Sequence, residues 1–143
     1  VALGSLATSL GQATIDAVDF VSTAFDVSDG GVISAEVSYN EQVTVATAFP
    51  LLVLTNSQAG GGSAASITLT MDGTLPVTSD KLTFSTTIGA GGSTIVADDV
   101  LSIGAQSINL NGATIVDTIG GGNAERAITA AQGTAGGTLT ATA

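Results

Sequence analysis

The reactive groups of this 143-residue chain are almost all carboxylates: 12 Asp and Glu against one lysine, Lys81, and one arginine, Arg126, with no His, Cys or Trp. A Ser-His-Asp triad, a cysteine nucleophile and a thiolate zinc site are therefore excluded. A Ser-Lys pair would rest on Lys81 alone, which lies in an alternating strand pattern where nucleophile and base have no reason to meet. Two carboxylates suffice for glycoside hydrolysis, and Glu36, Glu41 and the Asp residues could supply them. Such sites are walled by aromatics, and this chain has one Tyr and four Phe. The composition predicts no catalytic site.

Calcium is the one metal these residues suit, because it takes hard oxygen ligands in loops. Asp98 and Asp99 follow a turn, Asp117 precedes the turn 120–123, and Asp29 with Asp26 flanks a tight turn. None belongs to a D-x-D-x-D-G loop, and Asp at such places also caps turns and hydrates loop tips. The reading is no cofactor, with calcium at Asp29, Asp98, Asp99 or Asp117 as the alternative. The glycine runs 60–62 and 120–122 lack the following helix and lysine of a phosphate cradle.

A net charge of −10 removes other classes. Two basic residues cannot neutralise a phosphate backbone or hold an anionic membrane surface, so neither nucleic acid nor membrane is an expected partner. No apolar run approaches the ~20 residues of a membrane span; the longest is strand length, residues 49–54 (FPLLVL). Residues 1–14 include Leu3, Leu6 and Leu10 but no basic residue and no continuous apolar stretch, so they do not read as a signal peptide. Basic protein surfaces, divalent cations or further copies of the chain are the partners the charge allows.

The elements that must position these residues are strands. Residues 32–39 (VISAEVSY) alternate, with Ile33, Ala35, Val37 and Tyr39 on one face. Residues 41–48 alternate again through Val43 and Val45, and Pro50 marks an edge, a bulge or a strand changing sheets. Residues 14–21 predict a strand burying Ile15 and Ala17. Residues 66–71 place Ile67, Leu69 and Met71 together, and residues 81–88 place Leu82, Phe84 and Ile88 together. Short strands follow over 100–103, 107–110 and 113–119, separated by Gly104 and by Asn111-Gly112, a tight-turn signal. Residues 25–31 are turn chemistry, 56–65 a flexible loop or insertion, and 125–131 a helical turn or a strand start. No segment sustains a helical stripe. Seven to nine short strands with a turn signal every ~8–12 residues is the pattern of a β-sandwich.

Three segments together carry a resemblance: residues 31–45 (GVISAEVSYNEQVTV) followed by 50–54 (PLLVL); residues 81–84 (KLTF); and residues 107–112 (SINLNG) followed by 115–117 (IVD) and 122–124 (GNA). In that order they resemble the bacterial immunoglobulin-like repeats of large surface adhesins, which also occur on phage structural proteins. The likeness covers roughly residues 15–130. It implies an all-β, immunoglobulin-like β-sandwich without a catalytic role. The expected organisation is an N-terminal arm (1–13), the sandwich (14–131) and a C-terminal arm or last strand (132–143), the arms docking by strand addition to a neighbour's edge. The expected function is a virion-surface structural protein, a capsid decoration or cement protein, whose partners are other virion proteins such as a major capsid protein and copies of itself. The alternative is an extracellular adhesin or surface-layer module stiffened by calcium at a bacterial cell surface.

Overall fold

The computed structural model describes residues 11–143. Among these residues the elements are β1 (Ile15–Phe20), β2 (Phe25–Asp26), β3 (Gly31–Ala46), β4 (Leu51–Asn56), β5 (Ser66–Met71), β6 (Val77–Ile88), β7 (Val100–Ser102), β8 (Gln106–Ser107), β9 (Thr114–Asp117), β10 (Ala127–Ile128), α1 (Ala130–Ala135) and β11 (Thr138–Thr142). Among the described residues the fold is all-β, as alternation predicts, and helix is confined to α1. One nine-stranded sheet runs β1-β3-β6-β5-β4-β7-β11-β2, with β9 also on β3, while β8 and β10 form a separate ribbon. The sheet is mixed because β2 lies parallel to β11.

That order requires the sheet to curl. β1 and β2 stand at its opposite ends, yet only residues 21–24 separate them. Five extended Cα steps reach about 18 Å. Eight strands laid flat would span about 34 Å. The two edges must therefore approach each other, in the sense the right-handed twist of strands already favours. The curled interior holds Ile33, Ala35 and Val37 of β3 with Leu52, Leu69, Phe84, Leu101 and Leu139, all within 2% of complete burial. These are the inward positions that the alternation marks.

Residues 32–39 and 41–48, read from the sequence as two strands, are one long strand, β3. It pairs with β6 along its length, but the register jumps from Ser38 opposite Lys81 to Val43 opposite Ser79. Residues 39–42 thus bulge opposite Asp80. At the bulge β3 exchanges its other neighbour, β1 giving way to β9. Tyr39 is buried there and donates its hydroxyl proton to the carbonyl of Glu125 at 2.7 Å. Asn40 exchanges two hydrogen bonds with Thr14, its backbone N–H to the Thr14 carbonyl and its Oδ1 from the Thr14 N–H. A second bulge corrects the expectation for β1. The register shifts between Ile15 and Ala17, which reverses the phase of the strand. Val18, at 1% exposure, takes the inward place expected of Ala17.

Of the two readings of 132–143, a C-terminal arm or a last strand, the structure has the last strand. The segment forms part of α1 and then β11, which lies between β7 and β2 with Leu139 and Ala141 buried. The helix starts at a capping box: Thr129 Oγ1 accepts from the Gln132 N–H at 3.1 Å, and Gln132 Oε1 accepts from the Thr129 N–H at 2.9 Å. Gln132 Nε2 also donates to the Ile15 carbonyl at 2.8 Å, Glu125 Oε1 accepts from the Ile15 N–H, and the Phe20 N–H donates to the Gly136 carbonyl. The outer edge of β1 is thereby covered, which removes it as a site of strand addition. The expected N-terminal arm lies, except for residues 11–13, outside the described residues. Ala13 is buried.

Candidate functional site

The most organised polar centre is built around Asp99. Asn56 closes β4, and the glycine-rich segment 57–64 loops away from it. Residues 93–99 then lead into β7. Asp99 is fully buried and Asn56 nearly so. Asp99 Oδ1 accepts from the N–H of Gly60 at 2.8 Å and from that of Gly62 at 3.4 Å. Oδ2 accepts from Asn56 Nδ2 and from the Val96 N–H, both at 3.1 Å. Desolvation raises the affinity of this carboxyl for its proton, but the bonds from Asn56, Val96, Gly60 and Gly62 together outweigh it and hold Asp99 below the usual carboxylate range.

The glycines are there for space. A Cβ on Gly60 would stand 1.8 Å from the Ala97 carbonyl oxygen, and one on Gly62 would stand 1.9 Å from Asp99 Oδ2. Around this centre Asn56 Nδ2 donates to the Ala64 carbonyl, Gln58 Nε2 to the Gly62 carbonyl, and the N–H groups of Ser63 and Ala64 to Ser93 and Thr94. The segment 56–65, expected to be a flexible loop or an insertion, is tied across by one carboxylate. The main chain of Asp99 also accepts from the Ala141 N–H, so the same residue anchors β11.

The chemistry of this cage suits an anion, not a cation, because N–H groups point at the oxygens. Both oxygens of Asp99, one of the four calcium candidates, accept hydrogen bonds from within the fold. Its neighbour Asp98 is exposed, with φ at +74° and its N–H on the Ala141 carbonyl. Asp29 is exposed at the tip of the turn before β3. In that turn Asp26 makes the bonds, its Oδ1 accepting from Ser28 N and Ser28 Oγ at 2.8 and 2.6 Å. Those bonds, that of the Ser28 hydroxyl first, keep the Asp26 carboxyl below its ordinary range. Asp117 is buried at the end of β9, where Oδ1 accepts from the Ile119 N–H at 2.9 Å and the main chain closes a turn with Gly121 and Gly122. The four candidates are not brought together, and among the described residues no group of three or more acidic side chains could hold a metal.

The other chemistry-bearing residues are equally dispersed. Lys81 Nζ lies 3.7 Å from Glu36 Oε1 on the open face of the sheet, a solvent-exposed pair of the kind that contributes little. Glu41 sits at the bulge of β3. An open depression of about 510 Å³ between β9 and β10 includes Glu125 and Arg126. Glu125 Oε1 is engaged by the Ile15 N–H, and Arg126 Nη1 reaches the Ile108 carbonyl. No acid and base face each other across it.

Sequence reasoning missed two structural polar residues. Asn56 was read only as the start of a loop. Gln106 completes a gap in the sheet: its Oε1 accepts from the Val53 N–H at 3.0 Å while its Nε2 donates to the carbonyls of Val53 at 2.7 Å and Ile103 at 2.8 Å. A carboxamide has one acceptor and one donor group side by side, so it stands in for a missing strand residue. Comparison with protein-family models, with curated proteins and with solved structures finds no match to this chain.

Proposed function

We propose that the protein is a non-enzymatic structural component of a virion surface: an immunoglobulin-like β-sandwich that decorates or cements a capsid by packing against protein. The observation that carries the fold part of this reading is the strand order. With β1, β3, β4, β5, β6, β7 and β11 lettered A to G in chain order, the sequence of neighbours is A-B-E-D-C-F-G, the order in which the ABED and CFG sheets of a constant-type immunoglobulin domain would follow one another, although here D and C pair along their length and join the two into one curled sheet. β2 then continues the first strand across to the last. β8, β9, β10 and α1 form one excursion between F and G, and the most specific part of the resemblance, residues 107–124, falls within it.

The functional part rests on the resemblance and on where the polar groups are used. The buried carboxylates of Asp99 and Asp117 hold a loop and a turn in place, and the other acids are spread over turns and the sheet surface. Such a molecule acts through its surface. Its partners on this reading are a major capsid protein and further copies of the chain, with no nucleic acid, membrane or cofactor. The test is co-sedimentation of the purified protein with assembled capsids lacking it, over a range of ionic strength. Saturable binding is the expected result; absence of binding to any assembled shell overturns the reading. A thermal midpoint raised by calcium but not by magnesium would instead favour the adhesin or surface-layer module.

A further inference from the structure

The turn at Asn111-Gly112 is held more firmly than a two-residue turn requires. Its φ angles are +51° and +87°, and the Ala113 N–H donates to the Leu110 carbonyl at 2.8 Å. Together these mark a type I′ turn. Both residues are exposed. The turn is also tied to the chain that links β3 to β4. Asn109 and Leu51 exchange backbone bonds at 2.8 and 3.1 Å, Asn111 Nδ2 donates to the Phe49 carbonyl at 3.2 Å, and Thr47 Oγ1 donates to the Gly112 carbonyl at 2.9 Å. Thr47 makes its bond from a φ of +75°, a costly conformation for a β-branched residue. Strain of that kind persists only where the surroundings enforce it, and it marks a constraint.

We propose that Asn111 is a deamidation site whose reaction is gated by this turn, with Thr47 as the latch. In the reaction the Gly112 nitrogen bonds to Asn111 Cγ. Its proton passes through solvent to the carboxamide nitrogen, which leaves as ammonia. Water then opens the succinimide at either carbonyl, leaving aspartate or isoaspartate at position 111. Glycine suits the step because no side chain crowds the attacking nitrogen, and among the described residues no acceptor holds the Gly112 N–H. Ring closure needs that nitrogen syn to the Asn111 Cβ. The first residue of a type I′ turn has ψ near about +30°, which sets the nitrogen anti instead. The folded turn therefore shields a pair of residues that is reactive when the turn opens. The Asp-Gly steps at 29–30 and 72–73 offer carboxylates, which are poorer electrophiles at neutral pH. The product does not restore the turn. A carboxylate has no proton for the Phe49 carbonyl, and isoaspartate lengthens the main chain by a methylene. Segment 107–124 is then loosened from the β3–β4 connection, and each chain that has opened carries a lasting covalent mark.

Incubation of the full chain at mildly alkaline pH, folded and in guanidinium chloride, tests this. Tandem mass spectrometry and enzymatic methylation of isoaspartate read the product. In denaturant the product at position 111 forms at the rate shown by an isolated peptide of residues 107–116. In the folded chain it forms at least about tenfold more slowly, because reaction waits for local opening. Thr47→Gly accepts the positive φ but lacks the hydroxyl. It raises the folded rate at least about threefold with the thermal midpoint retained, since only the local opening is made easier. Thr47→Ser keeps the hydroxyl and the slow rate, and Thr47→Ala serves if Thr47→Gly is not folded by circular dichroism. Equal rates in the folded and unfolded chain overturn the gate. Absence of product at position 111 in denaturant overturns the site, and a folded rate indifferent to loss of the Thr47 hydroxyl overturns the latch.

Discussion

Asn56 Nδ2 donates to Asp99 Oδ2 at 3.1 Å with both side chains buried. The bond joins the end of β4 to the start of β7. It also fixes the orientation of Asn56, whose amide reaches the Ala64 carbonyl with its other proton and whose Oδ1 accepts from the Gln58 N–H. Asp99→Asn keeps the shape but turns one acceptor into a donor facing other N–H groups. The expected outcome is a thermal midpoint lower by several degrees with the β-sheet circular dichroism retained. Amide hydrogen exchange should rise first at Gly60, Gly62 and Val96. Unchanged exchange at these three would show that the carboxylate does not hold the loop.

Acid should expose the same dependence. The folded-state pKa of Asp99 lies below its unfolded value, so the stabilisation it gives is fully present above about pH 4 and is lost as pH falls through the folded pKa. The thermal midpoint of the wild type should fall steeply in that window. In Asp99→Asn the fall should be shallower. Parallel curves for the two proteins would contradict this.

At the other end of the pH scale Tyr39 is a built-in reporter, since it is the only tyrosine and there is no tryptophan. Burial first, and the nearby Glu125 carboxylate second, push its phenol above the ordinary range. The hydroxyl contributes to stability below about pH 10, and that contribution is lost as pH rises through the raised folded value. Phenolate absorbance should therefore appear together with the loss of β-sheet signal on alkaline titration. Ionisation ahead of unfolding would refute this.

Two glycine substitutions isolate the demand for space, since neither glycine has a positive φ. Gly60→Ala drives a Cβ into the Ala97 carbonyl and should cost roughly 1–3 kcal/mol or more by denaturant unfolding. Gly122→Ala meets nothing within 4 Å and should stay within about 0.5 kcal/mol of wild type.

Gln106→Leu removes the carboxamide that satisfies both backbone groups of Val53. With an N–H and a carbonyl left without their partner, the expected cost is about 1–3 kcal/mol. Gln106→Glu, which keeps the acceptor but loses the donor, should fall between the two.

The strand content was legible because period-2 alternation reports burial directly: Ile33, Ala35 and Val37, or Ile67, Leu69 and Met71, lie inward as their spacing requires. The tight turn at Asn111-Gly112 was legible for the same local reason, both residues having positive φ. What alternation cannot carry is register. The bulges at residues 39–42 and between Ile15 and Ala17 reset the phase using contacts with Asp80, Thr14 and Glu125, which are remote in sequence. The calcium candidates illustrate the same limit. Asp98 and Asp99 are adjacent and chemically alike, yet one is in solvent and the other is caged by donors from residues 56–62 and 96. A glycine run followed at a distance by a buried Asp has no local signature. The reach of Gln106 to Val53 has none either.

The parallel pairing of β2 with β11 sets the order in which this protein can mature. Phe25 lies opposite Ala141, so β2 cannot complete its pairing until the chain more than a hundred residues further on has been made. Contacts that distant in sequence slow folding. Until Leu139 has been made, the core that it shares with Ile33, Val37 and Phe84 is incomplete. Like charge on β1 and β3 opposes association of chains whose sheet is still incomplete.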